Sequence, residues 1–198
     1  MKALLICSSD HIAIPTALKL KEHGVLEAIA IPKKFKNRLL PVFLQLGFAL
    51  EIFHFVNKET LSDELTSIIS DLYIDTAFVL TFPWKIPTVV LSILENRCVN
   101  LHPGLLPKYR GADPVFWQLK NREINGGITV HLMTSRIDHG PVLLIEKMPI
   151  IPGEPYGMHC QRIGVFAAQL ITKVIDLLQT KSSQTLSLIH ISEPTRPY

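Results

Sequence analysis

Asn100 and His102 stand one residue apart in the run Asn-Leu-His-Pro-Gly over 100–104. The pair combines an amide donor with a side chain that titrates near neutral pH. With residues 97–101 read as a strand, alternation sends both side chains to one face, so they emerge together where Pro103 and Gly104 stop the strand. Asp138 lies 36 residues beyond His102, in Ile-Asp-His-Gly-Pro, a second strand-to-loop exit that can set a carboxylate against the imidazole. An amide donor, a base and an orienting acid together suit acyl transfer.

Strands alternating with helices must deliver these groups. Apolar runs predict strands over 3–7, 25–31, 51–56, 76–82, 97–101, 127–133 and 142–149. Helical spacing predicts helices over 15–22, 39–47, 87–94, 115–120 and 157–178, and Thr60 to Asp63 reads as a capping box for a further helix through Leu72. This order implies an α/β fold, a three-layer Rossmann-like sandwich around a largely parallel central sheet. Open sheets of this kind bind ligands beyond the carboxyl ends of their strands, where the dyad falls. The first turn, Ser8-Ser9-Asp10-His11, holds no glycine, so neither a dinucleotide fingerprint nor a P-loop is present. Ser8 and Ser9 read first as an N-cap pair.

Composition narrows the class. With 47% hydrophobic residues the 198-residue chain can bury a core of ordinary domain size, and 19% charged residues spread among apolar segments argue against disorder. A net charge of +3 is too small to imply nucleic acid by itself. Cys7, Cys98 and Cys160 are odd in number and far apart, as buried thiols of a reducing, cytoplasmic compartment would be, and no metal-binding spacing is visible. The N-terminal apolar run is too short for a signal peptide, and no uninterrupted apolar segment reaches the roughly 18–20 residues of a membrane span, so no membrane partner is expected.

The motif combination Asn100-Leu101-His102-Pro103, Leu105-Leu106-Pro107-Lys108-Tyr109-Arg110-Gly111, Gly127-Ile128-Thr129-Val130-His131 and Asp138 with Gly140-Pro141 resembles the formyltransferase family that uses 10-formyltetrahydrofolate. Its methionyl-tRNA-type catalytic domain is the nearest pattern, and weaker resemblance runs from Met1 to Leu178. The resemblance implies the formyltransferase fold, 10-formyltetrahydrofolate as co-substrate, and a primary amine as acceptor. It makes Asn100 a donor to the developing oxyanion, His102 a hydrogen-bond donor or proton carrier, and Asp138 the group that orients the ring and raises its proton affinity. It also points to 82–87 as the pterin slot, with Phe82, Trp84, Lys85 and Ile86 as contacts, Trp84 and Ile86 as its walls, and the loop 136–140, with Ile137 and His139, on the other side. Outside the family context, Phe82 and Trp84 read as core or hinge residues. His131 reads as a packed or strand-edge histidine, and Arg110 as a loop support paired with a carboxylate in preference to a contact to the folate tail or an acceptor phosphate.

The acceptor is less legible. Lys33, Lys34, Lys36 and Arg38 place four positive charges in six residues, where methionyl-tRNA enzymes carry a longer basic insertion. These residues read either as a contact to aminoacyl-tRNA phosphates or as a solvated loop. Without the glycine-containing phosphate loop of glycinamide ribonucleotide enzymes, a purine-pathway acceptor is disfavoured. His139 and Gly104 stand where the family commonly has a small hydroxyl residue and a serine, and Asp113 to Trp117 departs from the smaller residues expected there, leaving acceptor identity open. The alternatives are transfer to a sugar nucleotide or a carrier-bound amino acid, hydrolysis of formyltetrahydrofolate, and a non-catalytic folate-binding module. Residues 1–181 are expected to form the catalytic domain and 182–198 a tail. Within that tail, 186–196 reads as one frame of a widely used sequencing adapter, and codons unlike the adapter in the source nucleotides would refute this.

Overall fold

Ala3 to Cys7 are all fully buried, and as the strand β1 (Ala3–Cys7) they lie in the interior of a seven-stranded sheet, next to its central strand. The computed structural model describes residues 1–180. The expected tail 182–198, with its adapter-like run 186–196, and residue 181 of the expected domain lie outside the described residues. After β1 come α1 (Asp10–Glu22), β2 (Leu26–Pro32), α2 (Lys36–Gln45), β3 (Phe53–Val56), α3 (Leu61–Asp71), β4 (Thr76–Leu80) and α4 (Thr88–Ile93). β5 (Cys98–His102), α5 (Pro114–Lys120), β6 (Asn125–Leu132), β7 (Val142–Pro149) and α6 (Tyr156–Thr180) follow.

The strand order is β3-β2-β1-β4-β5-β6-β7, with β1 to β5 parallel and β6 and β7 antiparallel. Alternation divides the core. Ala3, Leu5 and Cys7 face α1, α2, α5 and α6, while Leu4 and Ile6 face α3 and α4. Three layers follow, as expected from the alternation of elements.

Element ends move by a few residues from the sequence reading, and two differences have physical causes. Helix α1 begins at Asp10, five residues before Pro15, because Ser9 accepts a hydrogen bond from the Ile12 N–H and so starts the helix ahead of the proline. Pro15 has no N–H to give the His11 carbonyl, and Gly164 of α6 comes so close to that carbonyl that a Cβ there would overlap its oxygen. The expected capping box at α3 is not made. The Thr60 hydroxyl instead donates to Glu64 at 2.9 Å, and the other Glu64 oxygen accepts the Asn57 N–H at 2.8 Å.

Helix α6 has the length and composition of a membrane span, contrary to the sequence expectation that no segment does. Ile163, Ala167, Leu170, Ile171 and Val174 along it are buried in the core facing α1, which is how a long core helix passes the same criterion.

Candidate active site

β5 carries Asn100 and His102 on the face that also bears Cys98, and Cys98 is buried in the core cluster of α3 and α4. The dyad therefore continues that face toward the carboxyl end of β5. The antiparallel register pairs Asn100 with His131 and His102 with Thr129. Since paired residues share a face, His131 and Thr129 come in beside the dyad, while Ile128, Val130 and Leu132 turn to the opposite core. Residues 133–141 fold back over the same face and bring Asp138 to it.

Four side chains converge there. The Asn100 amide nitrogen is 3.2 Å from Asp138 Oδ1 and 3.1 Å from His131 Nε2. His131 Nε2 is 3.4 Å from Asp138 Oδ1, and His102 Nδ1 is 3.6 Å from Asp138 Oδ2. The expected trio is thus brought together, and His131 joins it. The sequence alone makes His131 a packed or strand-edge residue. Alternation along β6 was the available signal, since it sets Thr129 and His131 opposite an apolar row, but only the strand register shows what they face.

The loop between β5 and α5 grips both members of the His102–Asp138 pair. The Tyr109 carbonyl lies 2.5 Å from His102 Nε2, the Gly111 N–H donates to Asp138 Oδ2 at 2.8 Å, and Arg110 Nε donates to the Asp138 carbonyl at 3.0 Å. Arg110 thus ties the loop to the backbone of Asp138, where pairing with a carboxylate was the expectation. Leu106 N–H donates to the Thr129 hydroxyl at 3.0 Å, which itself donates to the Gly104 carbonyl at 2.7 Å. Asp138 takes a left-handed backbone, with φ of +51°. Gly140 behind it is forced, since any Cβ would overlap the Leu132 carbonyl oxygen.

These partners assign protons. A carbonyl only accepts, so His102 carries its proton on Nε2 and turns the Nδ1 lone pair to Asp138 when neutral. His131 likewise carries a proton on Nδ1, which donates to the Leu132 carbonyl at 2.9 Å. Burial pushes the proton affinity of His102 down, and it outweighs the upward pull of Asp138 and of the Tyr109 carbonyl, with His131 adding to the lowering. Asp138 acts in the expected direction and raises it, but a ring 4% exposed loses more from desolvation. For Asp138 itself burial opposes ionisation. The hydrogen bond and charge of His131 and the charge of His102, which act while those rings are protonated, together with the Gly111 N–H prevail and hold the carboxyl at about 2.

The expected pterin segment follows β4. Phe82 and Trp84 are half-buried and stack edge to face, 5.4 Å between ring centres, at the margin of the α3–α4 core. Ile86 departs from expectation: it is 1% exposed and packs in that core with Val90 and Leu94, so its side chain supports the segment and does not form a wall. Lys85 is exposed. On the other side Ile137 is 60% exposed, and the half-buried His139 bonds the Ile137 carbonyl through Nδ1 at 2.6 Å. Half-covered aromatic and aliphatic surface flanking a few polar groups suits a flat heterocycle, so the residues present fit a folate. Among the described residues, no group of three or more His, Cys, Asp and Glu is arranged to hold a metal ion.

The basic segment reaches the same end of the sheet. Arg38 donates to the Ser8 carbonyl at 2.7 Å, just beyond β1, and Ser8 donates to the Thr81 carbonyl beyond β4. Lys34 lies 5.9 Å from the Trp84 ring centre and Lys36 4.5 Å from that of Phe55.

Residues 3–175 match the family described as Formyl transferase. Methionyl-tRNA formyltransferase of Geobacter sulfurreducens is 30% identical over 181 residues, 88% of this chain and 57% of that protein. The Pelotomaculum thermopropionicum protein of the same name is 30% identical over 172 residues, 84% of this chain and 55% of its own length. The chain thus spans little more than half the length of these relatives. Among solved structures, phosphoribosylglycinamide formyltransferase from Anaplasma phagocytophilum superposes with a TM-score of 0.79 at 16% identity, covering 98% of this chain and 96% of that one. A formyltetrahydrofolate deformylase from Pseudomonas syringae gives 0.76 at 13% identity, with coverage of 94% and 63%. At such identities the likeness is one of fold.

Proposed function

The chain belongs to the formyl transferase family, and from that membership we propose that residues 1–181 are a catalytic domain moving a formyl group from 10-formyltetrahydrofolate to a primary amine, in the manner of methionyl-tRNA formyltransferases. The observation that carries the reading is the convergence of Asn100, His102 and Asp138, drawn from two strand exits, within 3.2–3.6 Å contacts.

The folate supplies an activated formyl group on N10. A neutral amine attacking it places negative charge on the formyl oxygen and leaves a proton to be removed. Asn100 stabilises that oxygen by exchanging its 3.2 Å bond to Asp138 for one to the substrate, since both hydrogens of its amide are otherwise taken by Asp138 and His131. His102 takes the proton from the amine and returns it to N10 as the bond from the formyl carbon to N10 breaks, so that tetrahydrofolate leaves neutral and the ring is regenerated. Burial keeps it neutral, its Nδ1 lone pair is exposed to Asp138, and a carboxyl held ionised down to about 2 rewards the ring for becoming charged. His131 steadies the Asn100 amide. Phe82 and Trp84 receive the pterin, with Lys85, Ile137 and His139 at its margin and Ile86 behind.

Aminoacyl-tRNA is the acceptor this reading favours. Two observations support it: relatives about 30% identical are named methionyl-tRNA formyltransferases, and Arg38 and Lys34 touch Ser8 and Trp84, so Lys33, Lys34, Lys36 and Arg38 lie within reach of the cleft. A cytoplasmic location belongs to the same reading, in keeping with three buried free thiols.

The test is release of tetrahydrofolate from 10-formyltetrahydrofolate by the purified chain, alone and with methionyl-tRNA or amino-sugar nucleotides. Release that requires methionyl-tRNA supports the full reading, and release that requires an amino sugar changes the acceptor. Release with water alone, or folate binding with no release, refutes transfer.

A further inference from the structure

Tyr109 is tied at both ends. Its carbonyl takes the His102 Nε2 proton at 2.5 Å. Its phenol, on the far side of the residue, donates to Glu123 Oε1 at 2.5 Å and accepts from Asn121 Nδ2 at 3.2 Å. Glu123 and Asn121 sit in the corner between α5 and β6, outside the site, and Lys108 bonds the same Glu123 oxygen. Around the carbonyl there is no slack: a Cβ at Gly104 would lie 3.1 Å from His102 Nε2, 3.1 Å from the Tyr109 Cβ and 2.8 Å from the Pro114 Cβ.

The geometry points to Glu123 and Asn121 as positioning residues that, through the buried Tyr109, fix the carbonyl holding the proton of His102 on Nε2 and thereby keep Nδ1 free toward Asp138. The chemistry requires such a hold. A neutral imidazole has one proton and two nitrogens, and unless something claims that proton for Nε2, Asp138 draws it to Nδ1, the nitrogen that must be empty to receive another. Near His102 the charged or titratable groups are Asp138 at 3.6 Å and His131, whose ring centre is 6.5 Å away. Both prefer a proton on Nδ1 or are indifferent to it, so the Tyr109 carbonyl is the group that selects the tautomer. A carbonyl on a free loop would swing; one whose residue is anchored through a phenol 12 and 14 residues away in sequence does not. The Tyr109 bond also acts to raise the proton affinity of His102, so releasing it lowers that affinity further.

The role in turnover rests on the formyl-transfer reading, whereas the tautomer does not, so the two are measured separately. Nitrogen-15 spectra of the histidine rings of the chain, without substrate, report the tautomer and titration of His102. Tyr109→Phe and Glu123→Ala should shift neutral His102 from Nε2–H toward Nδ1–H and lower its titration midpoint. Gly104→Ala, which wedges the same contact from within, should do likewise. Glu123→Gln keeps an acceptor for the phenol and Lys108→Ala leaves it untouched, so both should give the parent spectrum. In turnover, Tyr109→Phe and Glu123→Ala should lower kcat about tenfold, part of the roughly 10²–10⁴ a positioned acid or base supplies, with KM for the folate unchanged within about twofold. Parent-like His102 spectra in folded Tyr109→Phe and Glu123→Ala overturn the inference. Altered spectra in those variants, with a parent chain that moves no formyl group, uphold the relay and refute the functional reading.

Discussion

Replacing Asp138 with asparagine preserves shape while removing a charge that the fold has invested in, and its effects can be worked from the site. The carboxyl is 8% exposed and held at about 2, against 3.8 for an ordinary aspartate. At about 1.4 kcal/mol for each tenfold change in proton affinity, ionised Asp138 contributes roughly 2 kcal/mol to stability. The sign follows from the depressed value: the contribution is complete above about pH 4 and disappears as pH falls toward 2. Asp138→Asn should therefore be roughly 2 kcal/mol less stable than the parent in urea at pH 7, and the gap should narrow to roughly half by pH 3. In catalysis the loss is the attraction between a charged His102 and the carboxylate. At 3.6 Å and an effective dielectric of about 20 this is worth about 4–5 kcal/mol at most, so kcat should fall by up to about three powers of ten. Because Asp138 pulls the His102 proton affinity upward, the acid limb of the pH–rate profile, lying below the ordinary histidine value in the parent, should move lower still in the variant. A stability gap that stays constant from pH 7 to pH 3, or a kcat within fivefold of the parent, would refute the electrostatic account of this residue.

Asn100→Ala should cost about 10²–10³ in kcat while leaving folate KM nearly unchanged, because the bond it makes forms to the developing oxyanion; steady-state kinetics with normal turnover would remove Asn100 from the mechanism. Gly140→Ala should destabilise the domain by about 1–3 kcal/mol and abolish turnover together, since the added Cβ drives the Asp138 loop off the Leu132 carbonyl; thermal unfolding and activity of the parent level would contradict that packing. Neutralising Lys33, Lys34 and Lys36 together should make the salt dependence of tRNA binding shallower by about 2–3 in the log–log slope, and an unchanged slope would place the tRNA elsewhere.

Much of this site was legible in local sequence. Alternation put Asn100 and His102 on one face, proline and glycine stopped the strand after them, and the Asp138 segment read as a second exit, because side-chain direction and turn chemistry depend on a few neighbouring residues. Strand–helix alternation likewise determined a three-layer fold with the dyad at its carboxyl end. What tertiary structure alone decided are matters of register and burial. His131 enters the site because β6 pairs it with Asn100, Ile86 is withdrawn into the core it shares with Val90 and Leu94, and Tyr109 meets His102 through its carbonyl and Glu123 through its phenol. The proton affinity of His102 is the clearest case. The sequence supplies an attractive carboxylate, but desolvation depends on everything packed around the ring, and that sum exists only in the folded chain.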